Sequence, residues 1–127
     1  SHYTSDPLIA TGYSSGWYAQ TYIAHLINAV AARDLWRNQI EEVNVLRDYT
    51  VELVPRVGNH IIHLGKLPES SQRQQRKQLV TEFTNKKMDR LEKFYRYGLS
   101  QAGWNKYSYI DLEFDNQIIC KKRTLKR

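Results

Sequence analysis

The sequence predicts a single α+β domain: an antiparallel-rich twisted sheet of about five strands with two main helices packed on one face. Two observations support this. Apolar residues recur every three or four positions in two long stretches, and at every second position in the stretches that follow each of them. The chain has 127 residues and a hydrophobic content of 41%, which suits one folded domain spanning 1–127.

The first helix is predicted from Trp17 to about Arg33. Its apolar stripe consists of Ala19, Ile23, Leu26, Ile27 and Val30. Residues 1–16 contain turn-forming Pro, Gly and Ser and are interpreted as a lead-in without regular structure. Leu35 and Trp36 are expected to pack a short turn against the core.

A meander of three antiparallel strands is predicted between residues 40 and 64. The apolar residues that alternate with polar ones are Val43, Val45, Tyr49, Val51 and Leu53. Pro55 ends the second strand because proline cannot donate to a ladder. Gly58-Asn59 is predicted to turn the chain into the third strand, residues 60–64.

The second helix is predicted to begin after Ser70 or Ser71, either of which suits the N-cap position. Residues 72–78 are almost wholly polar, so they form either a solvated first turn or a disordered insert. The apolar stripe that follows consists of Val80, Phe83, Met88, Leu91, Phe94, Tyr95 and Leu99. Gly103 suits the residue just after the helix.

A closing hairpin is predicted for residues 107–122. Apolar Ile110, Leu112 and Phe114 alternate with acidic Asp111 and Glu113. Asp115-Asn116 suits a tight turn. The last strand contains Ile118, Ile119 and Cys120, and cations follow it. Such a terminal strand is predicted to be a sheet edge, whose unpaired backbone groups need protection or a partner.

The sequence predicts no catalytic site, metal site or cofactor. His60 and His63 are three apart in a strand, so they point to opposite faces and cannot share an ion. His25 and Cys120 have no evident partners for metal or nucleophilic chemistry and are interpreted as packed side chains. The sequence contains no phosphate-binding loop, nucleophile elbow or zinc-protease motif. We therefore expect a protein without enzymatic activity.

The charge distribution permits a second class of function. The chain has 19 Lys and Arg against 13 Asp and Glu, a net charge of +6. The cations concentrate in the helix from Arg73 to Arg96 and in the C-terminal tail. A basic nucleic-acid-binding module that uses this helix and tail is the alternative hypothesis.

Four blocks of the sequence resemble the FtsQ/DivIB family of bacterial cell-division proteins, in the form found in Bacteroidetes. The blocks are DPLIATG at 6–12, YTVELVPRVGNH at 49–60, RLEKFY at 90–95 and the closing stretch 107–122. They occur in the family's order and cover nearly the whole chain. The resemblance is to the C-terminal β domain of the family.

The resemblance implies a non-enzymatic divisome protein with a single membrane span and a POTRA domain upstream of this periplasmic domain. It implies FtsB-like and FtsL-like division proteins as partners and a part in recruiting the septal peptidoglycan synthesis machinery. In the family, FtsB adds a strand to the last strand of the β domain. No nucleic acid and no cofactor is expected on this reading.

The resemblance also implies contact residues. The partner-binding residues are expected to be Arg90, Phe114, Asp115, Asn116, Gln117, Ile118, Ile119, Cys120, Lys121 and Lys122. Phe114 occupies the position of a family tyrosine, so packing is retained but a hydroxyl hydrogen bond is lost. Lys122 lies near a position where some members have tryptophan, which favours an acidic partner residue. The last strand is expected to contribute mainly backbone, so proline at Ile119 or Cys120 should weaken binding.

Overall fold

The structure is a computed structural model that describes residues 9–12, 16–99, 103 and 105–124. It contains one six-stranded sheet whose strands lie in sequence order. The strands are β1 Ile9–Gly12, β2 Ile40–Val45, β3 Thr50–Pro55, β4 Ile61–Lys66, β5 Tyr107–Asp111 and β6 Ile119–Lys122. The pairs β1–β2 and β4–β5 are parallel, and the other three pairs are antiparallel. The predicted α+β class is confirmed.

Helices connect the two parallel pairs of strands. Between β1 and β2 the chain forms α1 Gly16–Tyr18, a π-helical turn Ala19–Ile23, α2 Ala24–Ala31 and α3 Asp34–Arg37. Between β4 and β5 it forms α4 Arg73–Phe94, followed by a π-helical turn Tyr95–Leu99. Parallel neighbours require such crossovers. Both crossovers run in the same direction along the sheet, and right-handed crossovers therefore put both helices on one face.

The core lies between this helical layer and the sheet. From the sheet it contains Val43, Val45, Val51, Leu53, Ile62, Leu64, Ile110 and Leu112; from the helices it contains Ile23, Leu26, Val30, Trp36, Val80, Met88 and Leu91. In β3 the buried residues alternate with half-buried ones, as expected for a sheet covered on one face. The strand residues that alternate with these buried ones point to the other side of the sheet, which no helix covers in the described part of the chain. This side, the open face, includes Glu52 and Tyr109.

Several sequence predictions differ from the structure in detail. The segment 9–12 was assigned to an unstructured lead-in but forms β1, because a short parallel strand depends on its remote partner β2. Helix α4 begins at Arg73, so the polar segment is helical. Its N-cap residue is Gln72, and Ser70 Oγ accepts from Gln72 N at 3.1 Å. Residues 1–8 and 13–15 of the predicted lead-in and residues 125–127 of the tail lie outside the described residues.

Two apolar residues are more exposed than the sequence pattern indicated. Trp36 is buried as expected, but its neighbour Leu35 is 46% exposed because α3 is only one turn long. Strand β5 ends at Asp111, so Phe114 belongs to the following loop and is 45% exposed. The alternation of apolar and acidic residues in the sequence extends beyond the β5–β6 ladder, because Leu112 still packs into the core after β5 has ended.

His60 joins the turn before β4 to the end of the second helix. Its Nδ1 atom lies 3.1 Å from Gly58 O, and its Nε2 atom lies 2.7 Å from the Tyr95 hydroxyl. A carbonyl only accepts, so Nδ1 carries the proton and Nε2 accepts from Tyr95. Burial lowers the pKa of His60 and raises the pKa of Tyr95, which keeps both groups neutral.

We predict that Gly58→Ala destabilises the domain more than Gly103→Ala. Both glycines have φ of 98°, so alanine costs about 1–2 kcal/mol at either position. At Gly58 an added Cβ would lie 2.5 Å from His60 Cε1, whereas at Gly103 no atom of the described residues would lie within 4 Å of it. Displacement of the buried ring should add about 1–3 kcal/mol. Urea unfolding measures the difference, and equal losses would contradict the packing argument.

We also predict that the free energy of unfolding decreases when the pH is lowered from about 7.5 to about 5.5. The pKa of His60 is below its usual 6.5 in the folded state, so the unfolded chain binds more protons in this range. One such group contributes at most about 1.4 kcal/mol per pH unit. His60→Gln should show a shallower decrease than the wild type in urea unfolding at both pH values. An unchanged slope would contradict this assignment.

Candidate protein-interaction edge

Strand β6 is the last strand of the sheet. It pairs with β5 in the register Asp111↔Ile119, Ile110↔Cys120 and Tyr109↔Lys121. Within the described part of the chain, no strand pairs with its other side. Ile119 is 41% exposed, and both lysines of the strand are exposed. The predicted sheet edge is therefore present, although the regular strand is shorter than the predicted 117–122.

The backbone directions along β5 follow from one hydrogen bond beyond its end. Leu112 N donates to His63 O at 2.8 Å, which points the Leu112 amide toward β4. Amide directions alternate along an extended chain. The amide of Ile110 therefore also faces β4, and the amides of Tyr109 and Asp111 face β6.

The same alternation identifies the outward groups of β6. Ile119 and Lys121 pair with the residues whose amides face β6, so they exchange hydrogen bonds with β5. Arg123 N donates to Lys106 O at 2.9 Å, which continues this side of the ladder. The N–H and C=O groups of Cys120 and Lys122 consequently point away from the sheet. These are the groups that a further strand would pair with.

The side chains of β6 divide between the two faces of the sheet. Cys120 is half-buried against the core, and burial raises the pKa of its thiol. This favours the neutral thiol, as expected for a packing residue. Lys121 lies on the open face with its Nζ atom 4.8 Å from the centroid of the Tyr109 ring, a cation–π contact.

The loop between β5 and β6 is fixed by a buried lysine of the basic helix α4. Lys87 is 3% exposed, and its Nζ atom donates to Leu112 O at 2.5 Å and Glu113 O at 2.8 Å. Burial lowers the pKa of Lys87, and the nearby Asp115 carboxylate opposes that shift. The ammonium thus holds the first two residues after β5.

Arg90, one helical turn further along α4, binds the same loop at two points. Its Nη1 atom donates to Leu112 O at 3.2 Å and its Nη2 atom donates to Gln117 O at 2.9 Å. The loop residues Asp115 and Asn116 form the predicted turn between these two carbonyls. Arg90 thus lies beside the hairpin, with its guanidinium engaged by the loop backbone. A direct Arg90 contact with a partner stays a prediction.

A second clamp holds the chain just after β6. Arg123 Nη2 donates to the carbonyls of Asn59 and, at 3.0 Å, Tyr107, and Arg123 Nε donates to Asn105 O at 3.0 Å. Its position in the basic C-terminal tail does not predict such a role. Every residue has a backbone carbonyl, so the sequence does not indicate which carbonyls Arg123 binds. For Lys87 the sequence did contain an indication of burial, because the residue lies three positions after Thr84 and therefore on the same, buried side of α4.

The basic helix does not present a continuous row of unengaged cations. Arg76 donates to Thr21 O and Ser70 O, and its guanidinium lies 5.6 Å from the Tyr22 ring centroid. Arg96 pairs with Glu92 at 2.9 Å, and Lys87 and Arg90 bind the hairpin loop. Through these contacts the cations of the helix bind neighbouring parts of the same domain. They do not favour the nucleic-acid alternative.

The fold is thus an α+β domain with an exposed terminal edge strand that a helix anchors. A family model described as FtsQ/DivIB, C-terminal related, matches residues 1–121, and the chain belongs to this family. The resemblance noted from the sequence is confirmed. No curated protein matches the chain.

Membership of the family indicates a role in bacterial cell division. The FtsQ/DivIB proteins are non-enzymatic division scaffolds, anchored in the membrane with a domain in the periplasm. In the described part of this chain, no helix has the length and apolar character needed to cross a membrane.

We predict that Arg90→Ala loosens the hairpin and lowers the free energy of unfolding by about 1–3 kcal/mol, because two loop carbonyls lose a charged donor. Lys93→Ala, an exposed substitution on the same helix, should change stability by less than about 0.5 kcal/mol. Urea unfolding and amide hydrogen exchange in β6 measure the two effects. Unaltered exchange in Arg90→Ala would contradict the anchoring role.

Proposed function

We propose that this domain is a non-enzymatic scaffold of the bacterial division machinery that binds FtsB-like and FtsL-like partners by strand addition at β6. Through these partners it helps to recruit the septal peptidoglycan synthesis proteins. The observation that carries the proposal is the free edge of β6, where the backbone groups of Cys120 and Lys122 point outward. Family membership supplies the cellular context.

The chemistry of the edge favours an extended, acidic partner segment. Backbone pairing supplies affinity with little dependence on sequence, and the side chains beside the ladder supply specificity. Lys121 and Lys122 are exposed cations on the strand itself. Ile119, on the same strand, and Phe114, in the loop before it, offer exposed apolar surface. An acidic strand with apolar residues at alternate positions would complement both features.

The anchors on α4 support the proposal because they hold the edge before a partner arrives. Lys87 and Arg90 together bind the carbonyls of Leu112, Glu113 and Gln117. A hairpin that is already ordered loses less conformational entropy on binding. The anchoring residues thus favour association even where they do not touch the partner.

The experiment is calorimetric titration of the domain with a peptide from the C-terminal end of the same organism's FtsB-like protein, at two salt concentrations. Strand addition predicts saturable binding that survives at the higher salt concentration, because backbone hydrogen bonds remain when the charges of Lys121 and Lys122 are screened. The control is the same peptide with proline at two successive positions of the pairing segment, which keeps the charge and removes a ladder donor. Absence of binding, or equal binding of the proline-substituted peptide, would contradict the proposal.

We predict that Cys120→Pro weakens peptide binding about tenfold or more, because the proline ring removes an outward donor and blocks its partner. Cys120→Val keeps the amide and should bind nearly as the wild type does. Ile119→Pro removes a donor that faces β5 and should lower the stability of the hairpin itself. Binding by Cys120→Pro equal to that of Cys120→Val would contradict the edge-strand model.

A further inference from the structure

A row of ionisable side chains crosses the open face of the sheet over three neighbouring strands. Glu52 of β3 is the Cα partner of His63 in β4, and His63 is the Cα partner of Asp111 in β5. Partners in register project to the same face. Glu113 follows Asp111 by two residues and joins the same group. None of these four residues belongs to β6.

His63 is buried at the centre of the group. It is 7% exposed, and its Nε2 atom lies 3.1 Å from Glu113 Oε1. On the other side of the ring, Nδ1 lies 3.5 Å from Glu52 Oε2 and has no hydrogen-bond partner. Tyr109 stacks on the ring at a centroid distance of 6.0 Å. An imidazole that is held so firmly yet keeps an unsatisfied nitrogen is unusual for a packing residue.

Asp111 and Glu113 are linked to each other and packed against β4. Asp111 Oδ1 accepts from the Glu113 backbone amide at 2.9 Å, which fixes the Asp111 carboxylate against the chain. Glu113 lies over Gly65, where a Cβ would be only 3.0 Å from Glu113 Cγ. One ligand atom each from His63, Asp111 and Glu113 lies within 4.8 Å of the other two.

We propose that His63, Asp111 and Glu113 bind a zinc ion, with Glu52 as the positioning residue for the imidazole. Zinc takes imidazole nitrogen and carboxylate oxygen at about 2.0–2.2 Å, usually in a tetrahedron. His63 Nε2 and the two carboxylates supply three ligands, and water completes the set. The charges of Asp111 and Glu113 balance the charge of the ion.

Glu52 has the arrangement expected behind a ligand histidine. A zinc-bound imidazole generally donates its other N–H to a carboxylate, which fixes the ring and the tautomer. Glu52 Oε2 faces Nδ1 of His63, and the Tyr109 hydroxyl donates to the same oxygen at 3.4 Å. Because a carboxylate only accepts, Nε2 carries a proton toward Glu113, and zinc binding would release that proton and leave the remaining one on Nδ1, facing Glu52. A small rotation of the ring would turn the 3.5 Å contact into a hydrogen bond.

The geometry requires only a local adjustment. In a tetrahedron of such bonds, neighbouring ligand atoms are about 3.3–3.6 Å apart. The distance of 3.1 Å between His63 Nε2 and Glu113 Oε1 is already close to this value. The Asp111 carboxylate, at the end of β5 and half-exposed, can approach by side-chain rotation. Zinc would thus join the middle of β4 to the end of β5, next to the hairpin.

The test is titration of the tag-free domain with zinc chloride, followed by calorimetry and by competition with a chromogenic chelator. We expect one zinc ion per chain and, with cobalt as a spectroscopic substitute, the visible absorption of a tetrahedral site. Asp111→Asn and Glu113→Gln should each weaken zinc binding by at least about tenfold, and Glu52→Gln by about 10–100-fold. His25→Gln is the matched control, because His25 faces Arg73, Arg76 and Lys77 of α4.

The outcomes separate the proposal from its alternatives. Glu113 is 45% exposed, so Glu113→Gln should remain folded and report on binding alone, with unfolding curves as the check. Absence of saturable one-to-one binding would overturn the proposal, and so would equal affinity in wild type, Asp111→Asn and Glu113→Gln. A loss of affinity in His25→Gln comparable to that in Glu113→Gln would overturn it by placing the metal elsewhere.

Discussion

The buried ammonium of Lys87 connects most of the features that matter for function. It donates to the carbonyls of Leu112 and Glu113 at the point where β5 has ended and the hairpin begins. A buried cation without such acceptors would be costly, so the helix and the loop must keep this relation. Because the Glu113 carbonyl is held on the helical side, its side chain can reach His63 on the open face. One interaction thus orients both the edge strand and the histidine cluster.

The arrangement of crossovers decides which surfaces are available. Both parallel connections run in the same direction along the sheet, and the right-handed rule places their helices on one face. The other face keeps the polar row that includes Glu52 and His63. Strand β6 comes after the last crossover and is joined to β5 only by a hairpin, so nothing in the described chain covers its outer side. An open edge and an open face are therefore consequences of one topology.

The elements with strong local patterns could be predicted from the sequence. The three-strand meander, the long second helix and the turn at Asp115-Asn116 all occur where periodicity and turn chemistry indicate them. Strand β1 could not be found in this way, because four residues carry no period and their pairing is with residues about thirty positions away. The end of β5 could not be found either, since the alternation of apolar residues continues past the last ladder bond and only the path of the loop shows that Phe114 lies beyond the strand.

The candidate sites show the same division. Sequence alone determined the fold class, the family and the location of the terminal strand, because these follow from local patterns and from residues read in order. Tertiary structure alone decided that Lys87 and Arg90 hold the hairpin, and that the outward amides belong to Cys120 and Lys122. It also decided that His63 meets carboxylates 11, 48 and 50 positions away, rather than His60. Every residue has a backbone carbonyl, and no residue type determines the register of a strand pair. Contacts that depend on carbonyl acceptors or on register can therefore be identified only once the strands are paired.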